Sequence, residues 1–228
     1  MVKQWRWALL GLAAVGTIWL LTRKAYAASN TVRAYVLNPS DRPFADEEIQ
    51  LLTSRWQMAT EWISDRTGRA ISADFSPTFL QLPDTYSFVR NIAETGDLIS
   101  YVKDYLTAQG LTPLDTERYV VLLRGGGGFA GSIPSERFAM LGDVTIESML
   151  GNPELVIDII FPELPRNDKW GYVTPDAQTG ALVHEMLHLV LLAPDMMDNG
   201  IMGSWDLWPN AAVESEVLAI VATSPFFT

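Results

Sequence analysis

The two histidines of this 228-residue chain, His184 and His188, stand four residues apart, and Glu185 directly follows the first. The pattern reads H-E-x-x-H. Two histidines placed at random would fall four apart in about 1 of 100 arrangements, so the spacing calls for a chemical reason. On an α-helix, residues i and i+4 share one face a turn apart, which lets two imidazoles reach a single metal ion. Glu185 sits about 100° further round the helix, near enough to address a water on that metal without binding the ion. Zinc (Zn2+) suits this set, because it accepts neutral imidazole and keeps a coordination position open when the protein supplies three ligands. The ion lowers the pKa of its water toward about 7, and Glu185 takes the proton as the water attacks a carbonyl. The competing reading is a core helix whose histidines only make hydrogen bonds.

The element that must position these groups runs from Thr174 to Pro194. Thr174 caps it, Pro175 suits the first helical position, Asp176 favours the positive end of the dipole, and Pro194 stops it. Leu182, Val183, Met186, Leu187, Leu189 and Val190 surround the polar trio, so the helix is expected to be largely buried. Imidazoles and a carboxylate in such a setting need partners, since each costs several kcal/mol if left unsatisfied.

Upstream, Thr31 to Leu37 alternates as a strand, and Phe44 to Arg66 carries Ala45, Ile49, Leu52, Trp56, Ala59 and Ile63 at helical spacing. A second strand is expected over about 70–82, interrupted near Ser76-Pro77. A second helix is expected over 97–109, ending at Gly110. Arg118 to Arg124 reads as a central apolar strand. The glycine-rich stretch 125–132 lacks the Gly-Lys-Ser/Thr of a phosphate loop and reads as a flexible turn, followed by a short strand at 138–142. Leu155 to Phe161 is open between strand and apolar insertion. Trp170 reads as core, with Trp170 and Tyr172 both available to line a cleft. The tail, 210–223, reads as a last amphipathic helix with Val213, Val217, Leu218 and Val221 inward.

Residues 1–27 hold four basic residues and no acidic ones, leaving 12 basic against 27 acidic in residues 28–228. So acidic a domain does not bind nucleic acid through its general field. The absence of cysteine removes disulfides and thiol nucleophiles. Lys3 and Arg6, the uncharged run 7–22, and Ala25-Tyr26-Ala27 have the layout of a secretory signal. Trp7, Trp19 and Arg23-Lys24 argue instead for an uncleaved membrane anchor through residues 7–22. Either reading puts one domain, 28–228, outside the cytoplasm, secreted or anchored at the cell surface.

In its order of elements, closing on the H-E-x-x-H helix and Ile201-Met202-Gly203, the chain resembles the metzincin clan of zinc metallopeptidases, a branch of the zincins. The likeness runs from about residue 31 to the C-terminus, and its specific part is 184–203. It implies a single α+β domain: a mixed, mostly parallel sheet with an antiparallel edge strand, two packing helices, the active-site helix and a C-terminal helix. By the resemblance His184 and His188 are metal ligands, Glu185 is the general base, and Met202 forms the methionine turn beneath the metal. The strand at 138–142 is then the edge that pairs with an extended peptide substrate.

In that clan the motif continues H-E-x-x-H-x-x-G-x-x-H/D. Here Leu191 stands at the glycine and Pro194 at the third ligand. Lengthening the turn by one residue makes Asp195 the third ligand. Pro194 disfavours helical geometry at Ala193, and Asp195 is the first carboxylate able to swing back. Asp198 follows on a longer loop. The alternative is the gluzincin arrangement, with Glu214 or Glu216 from the last helix as ligand. The expected activity is that of an exported zinc endopeptidase. A non-catalytic surface protein with a structural zinc, and a zinc hydrolase acting on other substrates, are the competing readings. A structural site has no use for a base such as Glu185.

Overall fold

The computed structural model describes residues 30–192 and 200–228. The signal or anchor expected over 1–27, and Asp195 and Asp198, lie outside them. Strand β1 (Thr31–Asn38) has apolar residues on both faces: Val32, Ala34 and Val36 enter one core, Tyr35 and Leu37 the other. Helix α1 (Asp46–Thr67) opens on Asp46, Glu47 and Glu48, which suit the positive end of its dipole, and closes on Gly68 at φ 68°. It buries Leu52, Trp56, Ala59, Trp62 and Ile63. Of the strand expected over 70–82, only β2 (Thr78–Gln81) forms a ladder; Ile71 and Ala73 make isolated bridges to Phe227 and Val32.

Two helices follow where one was expected. Helix α2 (Tyr86–Thr95) stops at Gly96, φ 87°, and α3 (Leu98–Ala108) begins two residues later. Strand β3 (Glu117–Leu123) is buried almost throughout, as its unbroken apolar run requires. Strands β4 (Ala130–Ile133) and β5 (Phe138–Leu141) complete a five-stranded sheet in the order β2-β1-β3-β5-β4. All neighbours are parallel except β4 with β5. The domain is thus α+β around one mixed, mostly parallel sheet with an antiparallel edge strand.

The edge strand is not the one the resemblance implied. Residues 138–141 lie inside the sheet, parallel to β3 and wholly buried, and the edge is Ala130–Ile133, from the end of the glycine-rich stretch. That stretch is not a free turn either. The buried Asp143 carboxylate accepts the Gly125 and Gly127 N–H groups at 2.7 and 3.0 Å, and Gly142 passes so close that a Cβ there would stand 2.6 Å from the Gly126 and Gly127 carbonyls.

Helices α4 (Asp143–Met149), α5 (Arg166–Lys169), α6 (Pro175–Leu191) and α7 (Ser215–Val221) follow. Helices α1 and α6 cover one face of the sheet, α2 and α3 the other. Residues 155–161 form no strand; Val156, Ile157 and Ile160 fold with Val144 and Val173 into a small third core. Trp170 is 37% exposed rather than core, the buried member of its short helix being Lys169. The tail helix is shorter than 210–223, because Ala212 bridges Gly200 and its carbonyl accepts the Ile201 N–H at 2.8 Å, which keeps that segment extended. Within α7, Val217 and Val221 face inward while Leu218 is exposed. Among the described residues no helix is long and apolar enough to cross a membrane.

Candidate metal centre and cleft

Helix α6 starts as its sequence dictates: the Thr174 hydroxyl accepts the Ala177 N–H at 3.0 Å and Pro175 occupies the first turn. Asp176, also in that turn, pairs with Arg55 of α1 at 2.8 Å, tying the two helices that share one face of the sheet. The helix is buried along most of its length. It ends at Leu191 through Leu192, whose φ of 56° is left-handed and whose N–H returns to the His188 carbonyl.

One turn of this helix brings the imidazoles together, Nε2 of His184 standing 2.9 Å from Nε2 of His188. The His184 Nδ1 is 3.1 Å from the Ile201 carbonyl oxygen. A carbonyl only accepts, so Nδ1 carries the hydrogen, and the ring in its neutral form keeps its Nε2 lone pair facing His188. Two imidazoles on one tetrahedral zinc, each at about 2.0–2.1 Å, have their nitrogens roughly 3.3 Å apart. The observed pair is within a few tenths of an ångström of that, so the donor set fits one ion. Ile201-Met202, read as the methionine turn, is buried in the same core as α6. Met202 donates its N–H to Glu214 Oε1 at 2.8 Å. Glu216 is exposed and accepts from the Ser215 hydroxyl. Among the described residues no third His, Cys, Asp or Glu joins the pair in a metal-holding group.

His184 and Glu185 both line a cleft of roughly 410 Å³. One wall is the approach to the edge strand, Gly128, Phe129 and Ala130; another is Val144 and Thr145 of α4; a third is Ile159 to Phe161, with Glu163. Trp205 also lines the cleft. It does so because Gly180 lets the Trp205–Trp208 turn touch α6: a Cβ on Gly180 would stand 2.0 Å from the Trp205 carbonyl oxygen. Phe161 and Trp205 line the cleft, and Tyr172 packs edge-on against both, at 5.1 and 5.9 Å. Gln178 is the fastener of the floor, accepting from Thr145 Oγ1 at 2.8 Å and donating to the Tyr172 carbonyl at 2.7 Å. Gln178, Thr145, Asp143 and Trp205 carry no motif. Only Gly180, an isolated glycine in a helical pattern, offered a local signal.

No protein-family model matches this sequence, and no curated protein matches it. The fold has counterparts among solved structures. Crystal structures of wild-type OgpA from Akkermansia muciniphila in two crystal forms match at TM-scores of 0.52 and 0.53 with 10% and 11% identity. A third, of catalytically inactive OgpA in complex with an O-glycopeptide (glycodrosocin) substrate, matches at 0.52 with 8% identity. The likeness covers 88% of this chain but only 61–62% of those proteins. At such identity it establishes a shared fold.

Proposed function

We propose that this chain is a zinc-dependent endopeptidase acting outside the cytoplasm. The observation that carries the reading is the convergence of the two Nε2 atoms at 2.9 Å, with the tautomer of His184 set by the Ile201 carbonyl, in a cleft that Glu185 also lines. His184 and His188 are two ligands, and Asp195 is the third. The turn at Leu192 supports Asp195, because the left-handed residue comes one position later than the clan's glycine and moves the third ligand one position on. A zinc ion held there supplies Lewis acidity, lowering the pKa of water to about 7 and polarising a carbonyl.

Glu185 accepts the proton of the attacking water and returns it to the amine nitrogen as the C–N bond breaks. The substrate's backbone is held by β4, whose outer edge faces no other strand among the described residues and whose first residue, Ala130, borders the cleft. Among the described residues that line the cleft there is no Lys or Arg to hold a terminal carboxylate, which favours cleavage within a chain. The O-glycopeptide held by OgpA, a protein of the same fold, supports a peptide substrate. The cleft's volume and its aromatic lining residues Phe129, Phe161 and Trp205 also favour a peptide bearing an O-linked sugar as a second reading, since both exceed the needs of one side chain. Export rests on residues 1–27 and is tested by fractionation with N-terminal sequencing.

The deciding experiment combines metal analysis with digestion of peptide mixtures, with and without O-linked sugars. About one zinc per chain is expected. Glu185→Gln should keep the metal and lose at least about 100-fold in cleavage rate. A zinc-loaded protein that cuts no peptide, or a Glu185→Gln variant as active as the parent, would overturn the proposal.

A further inference from the structure

We infer that Glu214 is a positioning residue of the metal centre, whose carboxylate holds the Gly200–Met202 backbone so that the Ile201 carbonyl meets His184. The inference deepens the zinc reading and rests on it. The polar backbone of this turn is closely accounted for. The Gly200 carbonyl accepts the N–H groups of Gly203 and Ser204 at 3.1 and 2.7 Å, and Ile201 donates its N–H to Ala212 at 2.8 Å. The Met202 N–H donates to Glu214 Oε1, and the Ile201 carbonyl accepts from His184 Nδ1. One peptide unit, between Ile201 and Met202, therefore links the two side chains: Glu214 holds its N–H and His184 takes its carbonyl.

The fit is close enough to have dictated a second residue. Glu214 is buried and lies flat on Gly200, where a Cβ would stand 2.3 Å from Oε1 and 2.7 Å from Cγ. A buried carboxylate is costly to keep, and an apolar residue would fill the space at less cost. What the carboxylate provides is a charge-assisted acceptor for a buried N–H, and through that peptide a fixed carbonyl for the imidazole. With Nδ1 so held, the His184 ring keeps both its orientation and its Nε2 lone pair. Glu214 thus acts through His184 and is not itself a metal ligand.

The experiment measures zinc affinity by chelator competition, and the visible spectrum of the cobalt-substituted protein, for Glu214→Ala, Glu214→Gln and Gly200→Ala. Circular dichroism of the metal-free forms controls for folding. Glu214→Ala should weaken zinc binding by about 10–100-fold and alter the cobalt spectrum. Glu214→Gln, which keeps an oxygen for the Met202 N–H, should stay within a few-fold of the parent. Gly200→Ala leaves Glu214 present but pushes its carboxylate away, and should resemble Glu214→Ala. Equal loss in the Ala and Gln variants would make Glu214 a ligand and overturn the inference, as would unchanged affinity in Glu214→Ala. Failure of the parent chain to bind zinc would instead overturn the zinc reading itself.

Discussion

Leu192 ends α6 at φ 56° and is two-thirds exposed. A side chain in that region costs about 1–2 kcal/mol, and its apolar surface recovers little of it. Leu192→Gly should therefore raise stability by about 0.5–1 kcal/mol, once the extra freedom of unfolded glycine is deducted. Urea unfolding measures this, and a net loss would show that the turn is held by something other than backbone strain relief. Gly180 is the opposite case. Its missing Cβ leaves room for a backbone carbonyl, which cannot rotate away as a side chain could, so Gly180→Ala should cost about 1–3 kcal/mol and displace Trp205. A thermal melt read with Trp fluorescence tests both parts; an unshifted melting point would sink the packing argument. A glycine in a helix was visible in the sequence, but the carbonyl that needs it comes from 25 residues further along the chain and was not.

At the scale of elements, the cleft depends on a loop that its composition made look loose. Asp143 takes two buried backbone N–H groups, and Tyr86 and Arg90 approach the same carboxylate at 3.3 and 3.5 Å. Burial and the neighbouring Asp143 charge push the Tyr86 phenol above its ordinary pKa, so it stays a neutral donor. Asp143→Ala leaves the Gly125 and Gly127 donors unmet, at about 1–3 kcal/mol each. Amide exchange in the loop and in β4 should accelerate, and peptide KM should rise because Gly128 to Ala130 border the cleft. Unchanged protection in β4 would mean that the strand holds itself through β5 alone. Glycines signal turns in any sequence. Here, Asp143 makes the turn rigid from 16 and 18 residues downstream, which no local pattern announces.

At the scale of the molecule, an ion network joins α1, the end of β3 and α4: Arg124 bonds Glu48 at 2.6 Å and Glu147 at 3.1 Å, with its guanidinium over the Phe44 ring. Burial alone would raise the Glu48 carboxyl, but the Arg124 hydrogen bond, the Ala45 N–H and the Arg124 charge outweigh it and hold the group below its ordinary 4.5. A depressed carboxylate contributes stability that is present above the unfolded value and lost as pH falls through the folded one. The destabilisation caused by Glu48→Gln should thus be full at pH 6–7 and shrink below about pH 4.5. Chemical denaturation across that range checks it, and a pH-independent difference would remove the charge from the explanation. The chain by itself determined the H-E-x-x-H helix, its Thr174 cap and the central β3. These follow from spacings within one or two helical turns or from unbroken apolar runs, where local geometry leaves little choice. Only the tertiary structure decided that Ala130–Ile133 and not 138–141 is the edge, that Glu214 reaches the Ile201-Met202 turn, and that Trp205 lines the cleft. Each depends on which segments meet across long loops, and meeting is set by the summed burial of the whole core rather than by any period in the sequence.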